Sequence, residues 1–357
     1  MSEAEAKTEA KTESGTASGT ASGTASGTAS EPMTGPVERW IAAHARPLEV
    51  SDAQGPLDDL RPLLDLAAGA RIVALGASTR QSHELSVAAH RMVRILVEEG
   101  GFRSVSLEGD EPERVGLDTY ISTGAGDPRA MLAEARSFWR TEEILGLVHW
   151  MRSYNARHPE DPVRFARTPP VTTAEGLAGI ERGLAEGIVQ WEERSGDRIV
   201  HWGGFAHTAV GHPRTVAPTP PDSPPLTHRN AGSFLRERFG EGYVSVGLTF
   251  HHGHLLGLPH SAPTRPPYGA PTPPPEFAET VLGGAGPGAY LLDLRDGAGA
   301  AAPEPVRTWL DSPTRTRLVG PAYDPADDAA HHLSGGALTD WFDALAHVRE
   351  VTAARPL

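Results

Sequence analysis

The chain has 357 residues, a formal net charge of -14 at pH 7 and no cysteine. The length is enough for a large core, and the lack of cysteine excludes disulfides, thiolate zinc sites and a cysteine nucleophile. The negative balance disfavours nucleic acid and anionic membrane surfaces, which need a basic patch, and leaves small molecules or proteins as partners.

Residues 1–35 join an acidic start to a repeated SGTA tetrapeptide. So small and polar a composition cannot bury enough apolar surface to offset chain entropy, which predicts a disordered tail. No stretch is apolar for long enough to span a bilayer and no basic-then-apolar leader is present, so the expected location is cytoplasmic. Lys7 and Lys11 are the only lysines, which denies the folded part, 36–357, a Schiff-base or phosphate-binding lysine.

The folded part opens with a helical pattern at Val37, Trp40 and Ile41, and residues 48–66 read as a partly helical approach to the first strand. Residues 71–75 are a short apolar run without helical period, Gly76 ends it, and Ser78 and Thr79 can cap a helix beginning near Ser82. Leu85, Ala88, Ala89, Met92, Ile95 and Leu96 recur at three- and four-residue steps on one face of that helix. Gly100 and Gly101 stop it, and residues 102–107 form a strand that delivers Glu108 at its carboxyl end. This is a βαβ unit. The carboxyl ends of parallel strands form a ligand crevice, so residues 77–84 and Glu108 are expected to face a shared pocket.

Further along, the pattern predicts helices over 113–120, 128–155 and 172–193, the last weakened by Gly176, Gly179, Gly183 and Gly187. Strands are predicted at 163–166, 198–202, 243–250, 289–294 and 317–319, with proline-rich loops at 213–225 and 259–275. An amphipathic helix over 338–351, carrying Trp341, Phe342, Leu345 and Val348, is predicted to close the chain. Strands alternating with helices give a single α/β domain, a mainly parallel sheet flanked by helices.

His251, His252 and His254 invite a metal hypothesis, with His201, His207, His212 and His260 also in the second half. On a strand His252 and His254 would share one face and His251 the other, so at most two of the three could share an ion. No HExxH-type spacing appears, and neither metal nor cofactor is expected. His83 and His90, seven apart on one helix, read as surface or hydrogen-bonded core positions, and Asp293, Arg295 and Asp296 as solvated strand-end charges.

Taken in order, GASTRQSHE (76–84), GFRSVSLEGD (101–110), FW (138–139) with TEEILGLVHWMRSYN (141–155), IVHWGGFAHTA (199–209), GYVSVGLTFHHG (242–253) and WFDALAHVREVTAARPL (341–357) resemble the erythromycin esterase family. The resemblance runs through nearly all of 37–357. It implies an α/β core and, in active members, hydrolysis of a macrolide lactone by water under general-base catalysis. It also marks departures. The family's loop offers a glutamate directly after the glycine and a histidine three residues later, where this chain has Ala77 and Arg80. A helix arginine is replaced by Ala89, and a pair of histidines three apart is reduced to His207, with Gly204 in the first place. The helical insertion that forms part of the family's cleft looks shortened to one helix, 172–193, a reduced helical lid that argues against carrying over macrolide specificity.

Glu84, Glu108 and His207 survive, and with Arg80 they are the expected site residues. Arg80 is permanently protonated and cannot accept a proton. His207 and Glu108 could supply a base and its orienting carboxylate if they meet across adjacent strand ends. Arg80 could bind a carboxylate or stabilise an oxyanion, or it could simply pair with Glu108 and fill a dead site. Three readings follow: a hydrolase of altered site acting on an ester or lactone of a small natural product, an inactive relative that binds a small molecule or a partner protein, and a peptidase.

Overall fold

The chain is described here in a computed structural model that covers residues 35–109, 111–169, 176–211, 214–216, 226–257, 265–295, 302–320 and 323–357. These lie in one unit, Thr34–Leu357. Residues 1–34 of the expected disordered tail, residues 213 and 217–225 of the first proline-rich segment, residues 259–264 of the second, His212 and Asp296 lie outside the described residues, His260 being among 259–264.

The first half contains α1 (Pro36–His44), β1 (Arg46–Pro47), α2 (Arg61–Leu66), β2 (Ile72–Ala77), α3 (His83–Glu98) and β3 (Ser104–Leu107). There follow α4 (Glu111–Arg114), α5 (Leu117–Thr123), α6 (Pro128–Ala133), α7 (Glu142–Arg157), β4 (Arg164–Phe165) and α8 (Gly176–Ser195). The second half contains β5 (Ile199–Gly204), α9 (Phe205–Thr208), β6 (Arg214–Val216), β7 (Leu226–His228), α10 (Ala231–Phe239), β8 (Tyr243–Gly257) and β9 (Arg265–Ala270). It ends with α11 (Ala278–Gly284), β10 (Ala289–Asp293), α12 (Glu304–Asp311), β11 (Thr314–Arg317), β12 (His332–Gly336), α13 (Leu338–Trp341) and β13 (Ala344–Val351).

The main sheet runs β1-β10-β13-β8-β2-β5-β3-β4, with β9 added against β8. From β13 to β4 every pairing is parallel, while β1, β10 and β9 are antiparallel additions at the margins. The fold is therefore α/β, with a mainly parallel sheet flanked by helices. Alternation along β2 shows how both faces are covered. Val73 and Leu75 join the core beneath α3 and α7, while Ile72 and Ala74 pack with Leu184, Ile188 and Leu235 of α8 and α10. Strand β2 is completely buried, and Ser82 caps α3 by accepting the Leu85 N–H at 3.3 Å. Among the described residues no helix is long and apolar enough to cross a membrane.

Several predicted elements are corrected. The closing segment is one helical turn followed by β13, which lies parallel to β8 and antiparallel to β10. The run from Ala344 to Val348 is buried on both faces, so apolar residues spaced three and four apart mimic a helix in an interior strand. The predicted 128–155 helix is two helices, because Thr141 starts α7 by capping Ile144 N–H at 3.3 Å and a short turn at Ser137–Trp139 intervenes. Likewise 113–120 divides at Gly116, whose φ is 83°.

The 259–275 segment contains a strand. In its register with β8, Pro266 and Pro267 fall inside the shift between the Leu255 and Gly257 pairings, where no ladder N–H is needed. The other proline-rich segment contains β6, which pairs with β7 just after it, and with β11 and β12 they form a second, antiparallel sheet. The predicted 317–319 strand is thus displaced to β11 and belongs to that sheet.

Candidate functional site

Strands β8, β2, β5 and β3 are neighbours and parallel, so the turns after β2, β3 and β5 emerge side by side at their carboxyl ends. The register pairs Ala77 with Gly204 and Leu107 with Trp202. Arg80 follows β2, Glu108 follows β3 by one residue, and His207 lies on the single turn α9 directly after β5. Two glycines allow this closeness: a Cβ at Gly203 would stand 2.9 Å from Glu108 Oε2, and one at Gly76 would meet Thr208 Oγ1 at 2.0 Å.

Glu108 is the centre of the arrangement. Its Oε2 accepts from Arg80 Nη1 at 2.6 Å and from the Gly204 N–H at 2.8 Å, while its Oε1 lies 3.6 Å from His207 Nε2. Burial alone would raise its carboxyl, but Arg80, His207 and the Gly204 N–H outweigh that effect and hold it at about 2. At neutral pH it is an anion, too weak a base to activate water and unable to donate a proton. What it does in the structure is hold the Arg80 guanidinium and the Gly204 N–H. Arg80 is fixed from its other side by a stacked contact with Phe138, 3.9 Å from guanidinium carbon to ring centre, with Trp139 at 5.4 Å. The turn that interrupts the predicted helix is what aims these two rings at it.

His207 is held by a residue that the motifs do not reveal. Glu181, on α8, places Oε1 2.9 Å from His207 Nδ1, and its Oε2 accepts the Ala231 N–H of α10 at 2.8 Å. Glu181 is fully buried, whereas Arg80 and His207 keep 18% and 19% of their side chains exposed, so a small ligand can reach the two latter. The signal for Glu181 was a carboxylate in register with Leu184, Ala185 and Ile188, the buried stripe of α8. Arg80, Glu108 and His207 converge over Gly204. A Cβ built there would lie 3.7 Å from Arg80 Nη2, 3.6 Å from Glu108 Oε2 and 3.7 Å from His207 Cδ2. Beneath them burial holds His201 down to about 4, and its Nδ1 lies 3.2 Å from Ser106 Oγ.

The structure brings together three of the four expected residues and not the fourth. Glu84 turns away to accept from Thr352 N–H at 2.7 Å and Thr352 Oγ1 at 2.6 Å. Its neighbour His83 bonds Glu143 at 2.7 Å, and His90 is buried with a value pushed down to about 3 by that burial. His251 and His252 approach each other through their Nδ1 atoms at 2.9 Å while His254 is exposed, and Gly253 between His252 and His254 has φ 139°. Among the described residues no group of three or more histidine, aspartate or glutamate side chains is placed to hold a metal ion.

Comparison with known proteins places these residues in context. A family model described as erythromycin esterase matches residues 97–166 and 171–351, which includes Glu108, Glu181 and His207 and leaves the 77–84 loop outside. A stretch of 116 residues is 30% identical to YbfO of Bacillus subtilis, described there as a candidate hydrolase, covering 32% of this chain and 25% of that protein. Another of 118 residues is 25% identical to erythromycin esterase type II of Escherichia coli, covering 33% of this chain and 28% of that protein. The matched stretch thus spans about a quarter of these relatives' length. Among solved structures, a Bacillus cereus protein superposes with TM-score 0.74 at 20% identity, covering 90% of this chain and 98% of that one. A succinoglycan biosynthesis protein gives 0.74 at 19% with the same coverage. An erythromycin esterase mutant in its open conformation gives 0.57 at 14%, covering 87% and 97%. At these identities the likenesses show the fold.

Proposed function

Because the chain belongs to the erythromycin esterase family, we propose that it hydrolyses a carboxylic ester or lactone of a small natural product, with His207 as general base and Arg80 as electrophile. One observation carries the reading: His207, held through Nδ1 by a buried carboxylate, has Nε2 3.6 Å from the Glu108 carboxylate that pairs with Arg80, and the three side chains converge over Gly204. In the reaction, water adds to the carbonyl carbon as Nε2 takes one of its protons, and the carbonyl electron pair moves to the oxygen that Arg80 faces. Collapse of the tetrahedral species breaks the bond to the leaving oxygen, which receives the proton from Nε2 and departs as the alcohol. Glu108 stays ionised throughout and keeps the guanidinium in place.

The Arg80–Glu108 pair supports a second reading. A tight ion pair with its cation stacked on Phe138 is also what a site converted to ligand binding would contain. Purified protein assayed on erythromycin, simple lactones and activated esters separates the two, beside His207→Asn and the double variant Arg80→His/Ala77→Glu. Turnover by the native chain that falls on the order of 1000-fold in His207→Asn is the expected result. Turnover only by the double variant would refute native hydrolysis and leave binding. Cleavage of a peptide library with esters untouched would move the activity to peptide bonds.

A further inference from the structure

We infer that Glu181 is the positioning residue for His207: it fixes the imidazole in the tautomer whose Nε2 lone pair faces Arg80 and Glu108, and α10 in turn fixes Glu181. The inference rests on His207 being the base, and it adds a residue from α8 to the site.

An ionised carboxylate only accepts hydrogen bonds. With Glu181 ionised, its Oε1, 2.9 Å from His207 Nδ1, holds the proton on Nδ1, and a neutral ring then carries its lone pair on Nε2. That nitrogen lies 3.6 Å from Glu108 Oε1, and the adjacent Cδ2 lies 3.7 Å from where a Cβ on Gly204 would stand. The second oxygen, Oε2, is held by the Ala231 N–H at 2.8 Å, so the carboxylate cannot swing without giving up a backbone donor in the interior. The same helix end also holds the chain that carries the ring. Asn230 Nδ2 donates to His207 O at 3.4 Å and to Ala209 O, and Asn230 Oδ1 accepts from Ser233 Oγ at 2.6 Å. The next carbonyl, Thr208 O, accepts from Tyr243 Oη at 2.6 Å and Ser245 Oγ at 3.2 Å. Ring and backbone of His207 are thus set by α8, α10 and β8 together.

A purely structural glutamate at this point is a weaker account. The position belongs to a stripe with Leu184, Ala185 and Ile188, where an apolar side chain would pack without the desolvation that a buried carboxylate costs.

Glu181→Gln is the informative variant because the amide has the right shape and the wrong donor. Its oxygen can still accept the Ala231 N–H, while its NH₂ would donate to His207 Nδ1 and drive the proton to Nε2. In a chain labelled with 15N-histidine, the His207 signals are assigned by their loss in His207→Asn. At the alkaline end of the titration the wild type is expected to show a protonated Nδ1 and a bare Nε2, and Glu181→Gln the reverse. Turnover in the variant is expected to fall 100-fold or more in kcat with KM within threefold and the melting midpoint nearly unchanged, as when the orienting carboxylate of a triad becomes an amide. A wild-type ring protonated on Nε2, a variant with an unaltered tautomer, or a variant with undiminished kcat overturns the inference. If Glu181→Gln does not fold, the wild-type spectrum alone decides. If the tautomer switches while neither chain cleaves any ester, Glu181 keeps its positioning role and the hydrolase reading is what fails.

Discussion

Two histidine–glutamate pairs in this molecule are almost matched in geometry and differ in their surroundings. His207–Glu181 has a separation of 2.9 Å with the side chains 19% and 0% exposed, and His83–Glu143 has 2.7 Å with 21% and 2%. The difference lies in what else each pair touches. His207 turns its second nitrogen to Glu108, which pairs with Arg80, and all three side chains converge over Gly204. Glu143 spends its remaining capacity on Arg355, accepting from the backbone N–H at 3.2 Å and from Nε at 3.3 Å, beside the Glu84 carboxylate that holds Thr352. The second pair clasps the segment 352–357 to the starts of α3 and α7, a seam closed by Glu142 N–H to Arg355 O at 2.8 Å and His83 N–H to Thr352 O at 2.9 Å. The pair's own geometry therefore does not separate the proposed site from the clasp; the third partner does.

The largest expected effect breaks the comparison directly. His207→Asn should lower ester turnover on the order of 1000-fold, whereas His83→Asn should change it less than threefold and instead cost about 1 kcal/mol of stability in urea titrations. Equal losses of turnover in the two variants would mean that the clasp, and not the convergence over Gly204, supports the chemistry.

A smaller effect sharpens the comparison through pH. Glu108 sits at about 2 in the folded chain, below its ordinary value of 4.5. The folded state thus binds fewer protons than the unfolded one between those values. The stabilisation is fully present above about pH 4.5 and is lost as pH falls toward 2, on the order of 3 kcal/mol for a shift of that size. Glu143 is also lowered: burial opposes the shift, while His83 and backbone N–H groups drive it, so the clasp loosens in the same direction. Urea midpoints measured from pH 6 to 2 should fall more steeply for the wild type than for Glu108→Gln. Parallel curves would show that Glu108 is not held by Arg80 in solution.

What the sequence disclosed divides along local and non-local lines. The β2–α3–β3 unit, the carboxyl-end position of Glu108 and the strand leading to His207 were legible because each rests on a contiguous pattern of apolar run, turn and cap. Strand β13 was not, since a strand buried on both faces loses the alternation that identifies strands and its spacing passes for a helix. Strand β9 was hidden by Pro266 and Pro267, which the register tolerates only at its irregular point. Glu181 could not be read from its neighbours because its partners lie 26 and 50 residues away, and only its presence in an apolar stripe distinguished it. Glu84 is the opposite case: it sits in a motif with Arg80, yet α3 has begun by then, and the helix carries its side chain toward Thr352.

That last point gives the smallest prediction and the most discriminating one for the motif. Glu84→Gln keeps an oxygen for one of the two Thr352 bonds but loses the charge that strengthens both, so the expected cost is about 1 kcal/mol. Amide exchange at Thr352 should then quicken by roughly fivefold, the ratio that such a free energy represents, while ester turnover stays within twofold of wild type. The two readouts are independent, because a carboxylate that only anchors the segment 352–357 affects exchange there and leaves the space over Gly204 as it was. A hundredfold loss of turnover with unchanged exchange at Thr352 would require Glu84 to act on the reacting groups, and the role that the family's motif implies for it would then prevail over the contact it makes in the structure.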